Sequence, residues 1–269
     1  MRIPLLVGAL VLGPGFAFCA DPFFLFGATQ DKGVYPVLEQ YFGANDYVGR
    51  ELANVDPKLR QRIERAHQFD VGLSLAEVQT AVTKGCGSGS AGLVVYNWST
   101  TQRTPPAEQA NPAQSLNQAA TIIRSAACYQ SMALPGEELF GYEGNCRFNL
   151  DAGTYRQVDW KAIDLVDIQG EMLLFDGCIA QSGIVNYVKL ATQLAGYLRS
   201  QNPKIQVVAQ LSFRATPPPV LAQAMDALKG AVDGFLLSYP LNPQMEHKYS
   251  LPQDLAAFLS AVRPRSSIP

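Results

Sequence analysis

Glu171 is the carboxylate best placed by sequence to move a proton. It ends the stretch 162–171 (AIDLVDIQGE) and is followed by Met172, Leu173 and Leu174. Apolar surroundings penalise the charged form, which would lift its pKa toward the range of a general acid. Read as a strand, the stretch turns Asp167, Gln169 and Glu171 to one face and Val166 and Ile168 to the other. The stretch 205–213 (IQVVAQLSF) repeats the pattern, with Gln206, Gln210 and Ser212 opposed by Val207, Ala209 and Leu211. Two carboxyl groups flanking a sugar can hydrolyse a glycosidic bond. The partner of Glu171 would come from Glu108, Glu137, Glu138, Glu143 or Asp176; spacing does not choose among them, and Glu108, which the loop after the third strand can fold over the mouth, is placed in the candidate pocket. Tyr96, Asn97, Trp98, Gln169, Gln210, Ser212 and Tyr239 supply the amides, hydroxyls and rings expected to hold a substrate. The same polar residues could instead satisfy one another, since buried polar networks also serve structure.

Other chemistries find less support. A Ser-His-Asp triad would have to recruit one of two histidines, His67 or His247, and no G-x-S-x-G elbow occurs. His67 falls within a basic stretch expected to be helical. No metal site is expected, because the cysteines form no CxxC pair. The glycine-rich 85–92 (GCGSGSAG) precedes a strand candidate instead of following one, so it reads as a turn and not a phosphate loop. No cofactor is expected. A formal net charge of −2 with scattered Lys and Arg argues against nucleic acid as a partner.

The elements that must position these residues alternate along the chain. Strand candidates are 22–28, 69–75, Gly92–Trp98, 128–134, 162–171, 205–213 and 232–239. Between them, 56–68, 112–126 (with Asn111 as N-cap), 184–200 and Pro218–Leu228 carry helical spacing, and Leu251–Val262 closes the chain. Such alternation implies parallel strands joined by crossover helices. The fold class expected is α/β, a (β/α)8-like TIM barrel. Seven strands are visible, and an eighth would have to hide between Ala28 and Phe69. A doubly wound open sheet shares the alternation, but no glycine-rich nucleotide loop follows the first strand. In a barrel, the long irregular stretches 99–111 and 135–158 would lie over the C-terminal face, where barrel active sites form.

Residues 1–20 have the layout of a secretory signal: Arg2, an uncharged apolar run, then small residues before Asp21. The expected organisation is therefore a cleaved 1–20 segment and a single barrel domain at 21–269, secreted or periplasmic, with no membrane span. The domain of about 250 residues matches the usual size of one (β/α)8 barrel. An oxidising compartment permits disulfides, and Cys146 and Cys178 lie in loop-like stretches that favour a bridge between them. Cys128 begins an apolar run and reads as a buried free thiol.

The block Tyr96-Asn97-Trp98-Ser99, Thr104-Pro105, Glu108-Gln109 and Asn111-Pro112 resembles a segment of a group of uncharacterised, often exported bacterial proteins with predicted barrel folds. In that pattern the residues at positions 97 and 99 are Asp and Glu. Here they are Asn97 and Ser99. If those acids are the group's catalytic pair, the resemblance implies a non-catalytic relative. Three readings therefore stand: a secreted hydrolase acting on carbohydrate, a carbohydrate-binding or scaffold protein on a degenerate barrel, and an enzyme of another class such as a lyase or esterase. Fold analogy alone separates none of them.

Overall fold

The structure, a computed structural model, describes residues 22–27, 33–49, 67–83, 92–100, 103–170, 178, 181, 183–213, 216–239 and 251–263. Eight parallel strands close into a ring. In chain order they are β1 (Phe23–Phe26), β2 (Tyr47–Gly49), β3 (His67–Gly72), β4 (Gly92–Trp98) and β5 (Tyr129–Pro135). A short antiparallel hairpin follows, β6 (Tyr142–Gly144) and β7 (Arg147–Phe148), and then β8 (Leu165–Ile168), β9 (Gln206–Ser212) and β10 (Gly234–Ser238). β10 pairs with β1 to complete the ring. The strand count is complete, and the hidden strand is β2. His67 opens β3 and does not belong to a helix; the rest of the expected basic helix, 56–66, lies outside the described residues, as do residues 1–21.

Seven α-helices are described: α1 (Val34–Tyr41), α2 (Leu75–Thr83), α3 (Pro106–Gln109), α4 (Pro112–Ser125), α5 (Val185–Gln201), α6 (Pro218–Leu228) and α7 (Leu251–Val262). Pro112 and Pro218 sit in the first turns of α4 and α6, where the missing N–H is not needed. Asn111 occupies the N-cap position of α4 without a capping side-chain bond; its amide donates back to Ala107 O. The connection from β5 to β8 contains no α-helix. 3₁₀ turns at Glu137–Phe140, Tyr155–Gln157 and Trp160–Ala162 take its place, with Phe140, Tyr155 and Trp160 as the buried packing groups.

Strand alternation sorts the core into two clusters. Phe23, Leu25, Tyr47, Phe69, Leu93, Val95, Met132, Leu165, Val208 and Leu236 fill the barrel interior. Their neighbours along each strand, such as Phe24, Val94, Tyr96, Val166 and Val207, pack outward with the helices. Gly234 is a steric requirement of this interior, because a Cβ there would come 2.7 Å from the Phe23 ring.

The N-terminal ends of the strands are closed by a repeated device. Asp46, Asp164 and Asp233 each stand one residue before a strand and accept from a backbone N–H of the neighbouring strand: Phe24 (2.9 Å), Ser131 (2.9 Å) and Val207 (2.7 Å). Each also pairs with an arginine, Arg263, Arg124 and Arg199 respectively. A carboxylate thus satisfies a strand-end donor and is itself neutralised.

Cys146, in the β6–β7 turn, is bridged to Cys178, with Cα atoms 5.4 Å apart across 32 residues of chain. Breaking this bridge with Cys146→Ser should cost about 2–4 kcal/mol, by freeing the unfolded chain. Denaturation with and without reductant measures it, and reductant should leave the variant unchanged at this site. Cys128 corrects the expectation of a buried free thiol: it is exposed and disulfide-bonded, with a partner outside the described residues.

Candidate functional site at the barrel mouth

The register identifies which side chains enter the C-terminal mouth. Val95 belongs to the interior cluster, so Asn97, two residues on, also turns inward, beside Leu134 of β5. Asp167 stands beside Val208, and Gln210 beside Leu236, both interior residues. Ser212 and Ser238 are partners at the ends of β9 and β10. Gln169 lies one residue beyond the end of β8. The mouth is therefore divided. Val71, 48% exposed, and Leu134 form an apolar side on β3 and β5, while carboxylate, amide and hydroxyl groups line β8 to β10.

Asp167 is the focus of the polar side. It is fully buried, as a carboxylate almost never is without a reason. Tyr187 of α5 links this region to the sheet: its hydroxyl donates to Gln210 O at 2.5 Å. A Cβ at Gly170 would overlap the Tyr187 ring, so the glycine after Gln169 permits this contact. Burial pushes the Tyr187 hydroxyl well above its ordinary range, and the charges of Asp167 and then Glu137 push it further. Glu137, buried in the 3₁₀ turn after β5, thus lies within electrostatic reach of the same hydroxyl as Asp167. Among the described residues no cluster of His, Cys, Asp and Glu could hold a metal ion.

Several expected site residues lie elsewhere. Tyr96 and Trp98 are outward neighbours of Val95 and Asn97 and belong to the helix-facing cluster. Glu108 joins them there. It accepts from the Tyr96 hydroxyl at 2.6 Å and from the Leu75 N–H at 3.1 and 3.2 Å, while its own carbonyl accepts from Trp98 Nε1 at 2.9 Å. Burial, followed by the Glu108 hydrogen bond, holds the Tyr96 hydroxyl protonated far above its usual range. Glu108 is a tie between the α2 N-terminus, β4 and α3, and it does not meet Gln210 at the mouth. Its replacement in Glu108→Ala should cost about 1–3 kcal/mol in stability, visible as a lower melting temperature. A variant that melts like the parent would contradict this assignment. Tyr239 also packs outward, its ring 5.9 Å from Phe213. Glu171 and Asp176 lie outside the described residues. Asn97, Gln210 and Ser212 are the expected binding residues that the barrel brings to one mouth, and Gln169 follows the end of β8.

Sequence places Asp167 on the polar face of its strand without giving it a role, and names neither Ser238 nor Tyr187. Ser238 ends the apolar run GFLLS, which shows no alternation, and Tyr187 has only helical spacing, so neither carries a signal of a site.

No family model matches the chain, and no curated protein matches it in sequence. Among solved structures, the fold superposes on the endo-β-1,4-mannanase from Thermotoga petrophila with a TM-score of 0.51. That match covers 90% of this chain and 77% of the mannanase, at 8% sequence identity. This chain is a TIM barrel. The barrel's likeness to the UMP synthase of Leishmania donovani is looser, with a TM-score of 0.40 at 8% identity over 89% of this chain and 53% of that one. A separate open groove of about 600 Å³ lies on the solvent side of α4, lined by Gln114, Asn117, Gln118 and Gln157 among others. It belongs to the outer helix layer and includes none of the inward-facing residues of the strands.

Proposed function

We propose that this barrel is an exported carbohydrate-active protein that binds a saccharide at its C-terminal mouth and hydrolyses it by carboxylate acid–base chemistry. The observation that carries the reading is the inward face of β8 and β9, where the buried Asp167 carboxylate lies among Gln169, Gln210 and Ser212. Amides and hydroxyls suit sugar hydroxyl groups, and the exposed Val71 suits the C–H face of a pyranose. The overall likeness to a mannanase barrel supports the fold on which such chemistry is built, and β-1,4-mannan is accordingly the first substrate to try. Glu171, next but one to Gln169 in the alternation, is the proposed proton-transfer residue, with Glu137 as the candidate second carboxylate. Asp167 is a positioning residue whose charge sets the field of the mouth.

A purely binding function is the second reading, and one observation favours it. Glu108, the second carboxylate expected from sequence, is committed to the helix layer, and Asn97 presents an amide at the end of β4. A screen of soluble polysaccharides, β-1,4-mannans included, tests both. New reducing ends support the hydrolase. Retention in affinity electrophoresis without cleavage supports the binding protein, and neither result overturns the carbohydrate reading.

The 1–20 segment and the Cys146–Cys178 bridge support export. Mature protein from the native host should begin near Ala20 or Asp21. An intact Met1 on the exported species would contradict this.

A further inference from the structure

We infer that Gln210 and Ser238 form a buried hydroxyl-recognition subsite, selective for neutral over anionic sugars, at the β9–β10 side of the mouth. This rests on the carbohydrate reading above and adds to it the recognising atoms and the substrate's charge class.

Gln210 is 5% exposed, yet its Oε1 is buried without a hydrogen-bond partner, as is Ser238 Oγ. A buried acceptor left unmade costs about 1–3 kcal/mol, so native proteins rarely keep one without cause. The contrast within this molecule is direct. At the opposite end of the same barrel, Asp46, Asp164 and Asp233 are each bonded by a backbone N–H and an arginine. The strand-end carboxylates at that end are therefore all satisfied. At the mouth the fold leaves acceptors open on two adjacent strands.

The placement explains what would fill them. Gln210 faces inward above Val208 and beside Leu236, and Ser238 stands beside Ser212 one step nearer the opening. Asp167 on the next strand adds a carboxylate to the same side. Gln210 Oε1 can only accept, Ser238 Oγ can both donate and accept, and the Asp167 carboxylate beneath them disfavours a second negative charge, so the fitting ligand is a neutral group that can donate. Sugar hydroxyls donate, whereas carboxylate, sulfate and phosphate groups bring lone pairs and negative charge toward Asp167. Val71 and Leu134, on the facing arc, are apolar and complement the C–H face of a sugar ring whose hydroxyls point to β9 and β10.

The test uses the full-length mature protein and two variants, Gln210→Met and Ser238→Ala. Isothermal titration against manno-, cello- and xylo-hexaose measures neutral-sugar binding, and oligogalacturonate of equal length is the anionic probe. Melting is followed without ligand. The expected result is neutral binding by the parent, weakened about 5- to 10-fold in each variant, as one lost neutral hydrogen bond implies. Oligogalacturonate should bind at least tenfold more weakly than the best neutral sugar. Removing an unsatisfied buried amide should leave the ligand-free melting temperature of Gln210→Met equal or higher. A melting temperature several degrees lower would make Gln210 a structural residue and overturn the subsite. Neutral binding that neither variant weakens would also overturn it while sparing the carbohydrate reading. Preference for oligogalacturonate would overturn the charge class. Binding of no saccharide by the parent would bring down the carbohydrate reading itself, and the subsite with it.

Discussion

Arg263→Ala is expected to destabilise the barrel by about 3–5 kcal/mol, the cost of leaving a buried carboxylate without its counter-ion. The partner, Asp46, has no exposed surface, and Arg263 is held against it by the ion pair and by donation to Tyr41 O at 3.0 Å. The guanidinium also stacks 4.6 Å from the Phe24 ring. These contacts fasten the residue after α7 to β1 and to the turn before β2, across 217 residues of chain. Removing the cation leaves Asp46, among the described residues, with the Phe24 and Gly43 N–H groups. For a domain of this size the loss corresponds to roughly 6–20 °C in melting temperature. Lys229→Ala provides the control, because its pairing with the exposed Asp226 is worth less than about 1 kcal/mol. Chemical denaturation of the two variants separates them, and equal midpoints would refute the closing role of Asp46.

Glu171→Gln should lower the rate of polysaccharide cleavage by a factor of about 10² to 10⁴ while the protein stays folded. The amide keeps the shape and most hydrogen bonding but cannot transfer the proton. Asp167→Asn should act differently. Asp167 is fully buried beneath the mouth, so its charge acts on the groups above it through the field and not by contact with substrate. Losing that charge should move the acidic and basic limbs of the pH–rate profile. A binding protein would show no cleavage in the parent, and its Glu171→Gln variant would retain affinity. An active enzyme whose rate is unchanged by Glu171→Gln would exclude Glu171 as the proton carrier. If that variant unfolds instead, Glu171 belongs to a structural network.

The two strands that carry the polar side of the mouth were readable because polar and apolar residues alternate along them. In β8, Asp167 alternates with Val166 and Ile168, and in β9, Gln210 with Ala209 and Leu211. β4 offered no such contrast. Its sequence GLVVYNW is apolar on both faces, so nothing local reveals that Val95 faces the interior and Tyr96 the helices. Glu108 followed Tyr96 outward, a consequence of a three-dimensional hydrogen bond that spacing cannot encode. β2 escaped recognition because only three residues, Tyr47–Gly49, form it, too few to display a period. The Cys146–Cys178 bridge was legible because both cysteines fall among turn-forming residues. Cys128 misled because an apolar run follows it, although Cys128 itself precedes β5 and is exposed.

The most direct measurement is a crystal structure of the protein with whichever neutral oligosaccharide the screen retains. Sugar density is expected in the barrel mouth, with ring carbons against Val71 and Leu134 and hydroxyls within hydrogen-bond distance of Gln210 and Ser238. Density lying instead along the groove of Gln114, Asn117 and Gln118 on α4, with the mouth empty, would contradict it.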